Sequence, residues 1–289
     1  MDLLKSTACA AMMLALVACG PAQQQETAGT PTNSTKMIAE TDVLASVNLT
    51  VAEGKRLIAK GIARLPRVQE RMKSGMMIIT KGSTNTYIAE ELAALQGPHG
   101  NFLTGHFVPM GTTKLNKGVT PVGEIIFKDG QIVDMPYAEA VQQLQEGDII
   151  FKGANQLNYE LQQAAVCIGA ADGGTAFKFL PYVGVGKAEH IVPIGLEKDQ
   201  SADLRKYEDE LRAKNEKLNF LPKLLVFQQS TIFTEIEALK QFADVEVFPY
   251  GRGGLAGREG GVSLVVSGPK AEVEKALALV EQIQGEKAF

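Results

Sequence analysis

Residues 76–80 (MMIIT) form an uninterrupted apolar run of strand length, and a Gly-Ser-Thr-Asn loop separates it from a helical stretch at 86–95. A strand with no polar face must be covered on both sides, which is the situation of an inner strand in a parallel sheet. The pattern returns at 148–152 and at 164–169, each run followed by a glycine-bearing loop, and 189–194 reads as another strand. Helical spacing at 51–65, 67–73 and 137–144, and from Ala176 onward, supplies covering layers. Between 123–127 and 131–135, Asp129-Gly130 has the chemistry of a hairpin turn. The expected fold class is α/β, a mostly parallel sheet covered by helices.

Residues 196–218 are dense in charge and read as a solvated helix, which places a domain boundary there. Beyond it come a strand at 223–227, a helix at 234–242, strands at 245–248 and 261–266, and a helix at 271–283. That β-α-β-β-α order is similar to a ferredoxin-like module. The expected organisation is therefore an α/β domain over 48–198, a charged helical linker over 199–222, and a smaller ferredoxin-like α+β domain over 223–289.

The amino terminus predicts export. Lys5 precedes an apolar stretch at 8–18 that is too short to span a bilayer permanently. Its ending, Leu16-Val17-Ala18-Cys19, resembles the lipobox of bacterial lipoproteins. The resemblance implies removal of residues 1–18 as a signal peptide and attachment of lipid to Cys19. Residues 19–47 then form a lipidated cysteine and a tether, whose Gln, Thr and Pro content at 21–36 cannot bury enough surface to order itself. Membrane is thus an expected partner, in the cell envelope. Gly20 implies the outer membrane, facing the periplasm, if the organism is Gram-negative. With Cys9 removed and Cys19 lipidated, Cys167 is left alone and no intrachain disulfide can form. A net charge of −4 argues against a nucleic-acid partner.

Three loops follow predicted strands and are candidate ligand-binding positions. They are Gly82, Ser83, Thr84 and Asn85; Lys152, Gly153 and Asn155; and Gly173, Gly174 and Thr175. A helix start offers free backbone N–H groups and a positive dipole end, and glycine lets an anion approach them. The plainer alternative is that Ser, Thr and Asn cap helices and the glycines make turns. If all three loops follow strands of one sheet, they converge on one crevice at the strand ends. His99, His106 and His190 lack nearby Cys, Asp or Glu clusters, so no metal site is expected, and no cofactor.

The strand, Gly-Ser-Thr loop, helix and later strand-Lys-Gly loop resemble the fold shared by ribose-phosphate isomerase A, glucosamine-phosphate deaminase, the sugar-sensing domains of DeoR-type regulators and CoA transferases. The resemblance spans roughly residues 51–198. It implies that Gly82, Ser83 and Thr84 hold a phosphate or similar anion and that Lys152 and Gly153 lie near the ligand. The isomerases' Asp-Gly-Ala-Asp-Glu segment has no counterpart in this chain. A binding protein for a small anionic or sugar-like ligand is therefore the leading expectation. An isomerase-like enzyme with Lys152 and Glu160 as catalytic groups is an alternative, and a docking module acting through residues 223–289, or one that self-associates there into a homo-oligomer, is another.

Overall fold

A computed structural model describes residues 38–109 and 112–289 of the 289-residue chain. The stretch read as a signal peptide, Cys19 and most of the stretch read as a tether lie outside the described residues. From Ile38 to Phe289 the chain forms one compact unit.

Its centre is a six-stranded sheet. Met76–Ile79 (β2), Ile125–Lys128 (β3), Gln131–Ile132 (β4), Asp148–Phe151 (β5), Ala188–Pro193 (β8) and Ser230–Phe233 (β10) lie in the order β10-β8-β5-β2-β3-β4. The first four in that order run parallel, and β3 and β4 are antiparallel additions. All four residues of β2 and all four of β5 are buried, as inner strands that are apolar everywhere but at Asp148 require. The amino ends of the two strands are tied by Asp148, whose Oδ1 accepts from Met76 N–H at 2.7 Å.

Helices cover the sheet. Val51–Arg64 (α1) starts at Thr50, where Thr50 and Glu53 form a reciprocal capping box, and it buries Leu57, Ile58 and Ile62. It packs against Ser83–Ala93 (α3) and Glu235–Lys240 (α7). Contact with α7 is close because Gly61 has no side chain; a Cβ there would stand 2.6 Å from Ala238 Cα. Short helices Pro66–Arg71 (α2) and Tyr137–Gln142 (α4) follow the expected positions, and Gly174–Gly184 (α5) packs against β8.

Two three-stranded sheets flank the centre. Val43–Leu49 (β1), Glu246–Arg252 (β11) and Val262–Gly268 (β12) form one, in the order β1-β12-β11, covered by Lys270–Ile283 (α8). Gln156–Asn158 (β6), Gln163–Ile168 (β7) and Lys223–Val226 (β9) form the other, in the order β6-β7-β9. Leu204–Ala213 (α6) lies on β7 and β9.

This topology departs from the expected division into domains. Residues 223–289 do not close a ferredoxin-like sheet of their own, because β9, β10 and the β11–β12 pair enter three different sheets. Nor is the charged segment a free linker: Leu204 is fully buried, and Glu208 accepts the Val226 N–H at 3.2 Å. Strand β1 begins at Val43, inside the stretch read as tether, and pairs with β12 along its whole length. Only Val47 and Leu49 of β1 are buried, too few for a clear strand pattern in sequence.

Candidate functional site

Because β2, β5, β8 and β10 run parallel, their carboxyl ends share one edge, the position where open α/β sheets hold ligands. The loop after β2 carries Lys81, Gly82 and Ser83. After β5 come Lys152, Gly153 and Asn155; after β8, Gly195, Glu197 and Lys198; and after β10, Glu235. Glu124, just before the antiparallel β3, reaches the same edge and lies 4.0 Å from Lys81 Nζ.

The first loop is built as expected. Helix α3 begins after Gly82 without a side-chain cap, so the N–H groups of its first turn keep no intrahelical partner. A Cβ on Gly82 would meet nothing within 4 Å, so space beside the loop is open. Asn85 lies beneath, fully buried. Its amide donates to Thr80 O at 2.7 Å and Phe151 O at 3.1 Å, joining the ends of β2 and β5. Its Oδ1 has no hydrogen-bond partner among the described residues.

The second loop also reaches the edge. Lys152 is partly buried, its N–H donates to Ile191 O at 3.2 Å, and its carbonyl meets His190 Nε2 at 3.0 Å. His190 is itself fully buried, contacts Ser230 Oγ through Nδ1 at 2.8 Å and stands edge-on to Phe179 and Phe227. Burial pushes its imidazole down to about 3, with the charge of Lys152 acting the same way, so the ring is neutral and donates through Nε2. Asn155 has structural bonds: its Oδ1 accepts Cys167 N–H at 2.8 Å and its own N–H donates to Ala165 O, holding the link after β5 to β7.

Two acids and two further lysines, none singled out in sequence, complete the edge. Glu235 is fully buried, and its Oε2 accepts Leu196 N–H at 2.9 Å. Its Oε1 occupies a hollow kept by glycines, since a Cβ on Gly54 would stand 2.6 Å away and one on Gly195 2.9 Å away. That same Cβ on Gly195 would collide with Glu197 Oε2, so both carboxyls converge on one point. Burial, then the charge of Glu197, lifts the Glu235 carboxyl far above the usual carboxylate range, to about 8. Lys198 Nζ donates to Ala154 O at 3.2 Å and lies 3.8 Å from Glu197. Lys55, on the first turns of α1, is pushed down to about 8 by burial and by Lys198, against the pull of Glu197.

The remaining expected positions fall elsewhere. Gly173, Gly174 and Thr175 follow β7, a strand of the separate β6-β7-β9 sheet, so this loop does not share the edge. There, Gly174 N–H donates to Asp172 Oδ1 at 2.9 Å in the turn that starts α5. Glu160 is exposed in the turn between β6 and β7. Cys167 is partly buried, and burial pushes its thiol up. His99 contacts Glu90 at 2.9 Å, and His106 accepts Leu115 N–H at 3.1 Å. Outside the expected positions, at the end of β11 and in the glycine-rich link to β12, Arg252 pairs with Asp199 and Arg258 donates to Gly253 O at 2.8 Å.

Sequence missed the acids for a clear reason. Glu197 and Lys198 sit inside the charged stretch read as solvated, and Glu235 follows β10, a four-residue strand whose first two residues are polar. The available signal was position, a charged residue one to five places after a strand end. No group of three or more His, Cys, Asp or Glu placed to hold a metal occurs among the described residues. No protein-family model, no curated protein and no solved structure matches the chain.

Proposed function

We propose that the carboxyl edge of the six-stranded sheet binds a small anionic or sugar-like ligand, on a protein that is exported and held at a membrane by lipid on Cys19. The observation that carries the binding reading is the convergence of the uncapped α3 terminus with Lys81, Lys152 and Lys198 on one edge. Backbone N–H groups at a helix start favour an anion, and the lysines add charge without fixing one geometry. The part-buried carboxylates of Glu124 and Glu197 beside them suit the hydroxyls of a sugar, which donate to such oxygens. The Gly-Ser-Thr and Lys-Gly loops also fit the likeness to sugar-phosphate isomerases and their relatives. Anchoring rests on Leu16-Val17-Ala18-Cys19, and incorporation of labelled palmitate, lost in Cys19→Ser, is its check.

A thermal-shift panel of sugars, sugar phosphates, carboxylates and nucleotides tests the binding reading. At a ligand concentration about a hundred times Kd, stabilisation of roughly 2.7 kcal/mol is expected. The shift should shrink in both Ser83→Ala and Lys152→Ala while Glu160→Ala behaves as the parent. A second reading, contact with another protein, is favoured by exposed Leu218, Phe220 and Leu221 beside a cavity of about 430 Å³. That reading predicts a flat panel and a mass in solution that rises with concentration.

A further inference from the structure

The amine of Lys152 stands apart from the other lysines of the edge. Lys81 has Glu124 within ion-pair distance and Lys198 has Glu197, whereas Lys152 Nζ has no carboxylate partner within 4.0 Å among the described residues. Its main chain is firmly held, since the N–H donates to Ile191 O and the carbonyl accepts from the buried His190. A partly buried ammonium with no counter-ion is costly, and the cost is relieved by shedding the proton. Burial and the neighbouring Lys198 push this amine down to about 8, with Glu124 opposing. Desolvation beside a second cation is the recognised way to make a lysine nucleophilic near neutral pH.

We propose that Lys152 is a nucleophile that condenses with the carbonyl of a small anionic aldehyde or ketone to form an imine, an inference that rests on the binding reading of this edge. The lone pair of Nζ attacks the carbonyl carbon and forms the C–N bond. The carbonyl oxygen takes the two amine protons and leaves as water, so the step balances without oxidant or reductant. Lys198, Lys81 and the N–H groups of α3 lie on the same edge and would hold the anionic end, with open space beside Gly82.

The test uses the purified full chain, glyceraldehyde 3-phosphate as probe, and sodium borohydride to reduce any imine to a stable secondary amine located by peptide mass mapping. The expected result is a saturable adduct on Lys152, formed about tenfold faster than on the exposed Lys270, with half-maximal rate near pH 8 because only the neutral amine attacks. Lys152→Ala should lose this adduct and keep the slow background on other lysines. In Lys198→Met, the midpoint of the wild-type pH profile should rise, because a like charge has been removed. Labelling spread over lysines in proportion to exposure would overturn the proposal. Glycerol 3-phosphate, an anion without a carbonyl, separates the two claims. If it stabilises the protein through Ser83 while the aldehyde gives no Lys152 adduct, the covalent step fails and binding stands. If neither acts, both fail.

Discussion

A chain ending at residue 222 is expected not to fold, giving no cooperative thermal transition and little near-ultraviolet circular dichroism. Without β10, the six-stranded sheet loses the strand that pairs with β8, and without β12, β1 loses its partner along all seven residues. Without α7, Gly61 on α1 faces solvent where Ala238 now packs. The excised residues include buried Ile232, Phe233, Leu239, Val266 and Val280. Each such side chain contributes about 1.5–3 kcal/mol by burial, and a native domain has only about 5–15 kcal/mol in total. Two separate melting transitions in the full chain, with the 38–222 piece folded alone, would instead restore a two-domain organisation.

Glu235→Gln is expected to remove a loss of stability that the parent shows between mildly acidic and mildly alkaline pH. The folded-state value of Glu235 is raised from 4.5 to about 8, so in that interval the folded chain binds a proton that the unfolded chain has released. Stability from this group is complete below about 4.5 and falls as pH rises toward 8. With each pH unit worth at most about 1.4 kcal/mol and part of the penalty relaxed, a drop of roughly 2–3 kcal/mol is expected. For a chain of this size that is a Tm decrease of roughly 5–10 °C. Lys55 and Lys152 act above this window. Their folded values, about 8 against 10.5, mean that the unfolded chain binds more protons there, so their contributions recover as pH rises from 8 to 10.5. Thermal melts of parent and variant from pH 5 to 8 decide the matter. Parallel Tm curves would mean that the Glu197–Glu235 contact does not hold a proton.

Strong local patterns in the sequence located most elements of the core. The short apolar runs of β2 and of Ile149–Phe151 in β5, bounded by loop residues, favour strands, the 3.6-residue stripe of α1 favours a helix, and Asp129-Gly130 marks its hairpin. What sequence could not supply was partnership. Nothing local in Lys223–Val226 or Val262–Gly268 says that they join different sheets, so the order of the expected elements imitated a small independent module, and Ser230–Phe233, whose first two residues are polar, was not read as a strand at all. The site was legible in the same proportion. Gly82, Ser83 and Lys152 announce themselves by loop chemistry after strong strands. Glu235, Glu197 and Lys55 converge only through the parallel arrangement and through the space left by Gly54 and Gly195, a pairing of residues far apart in the chain. The loop at Gly173 has the same local chemistry as that at Gly82, and only sheet membership separates them.

The most direct measurement is amide chemical-shift mapping of the protein with the best stabilising ligand of the panel. Binding at the carboxyl edge predicts saturable shifts clustered at residues 81–85, 152–154 and 195–198, with residues 173–175 and 160 unmoved. Shifts clustered instead around residues 218–225 and Phe177, or none at saturating ligand, would contradict the account.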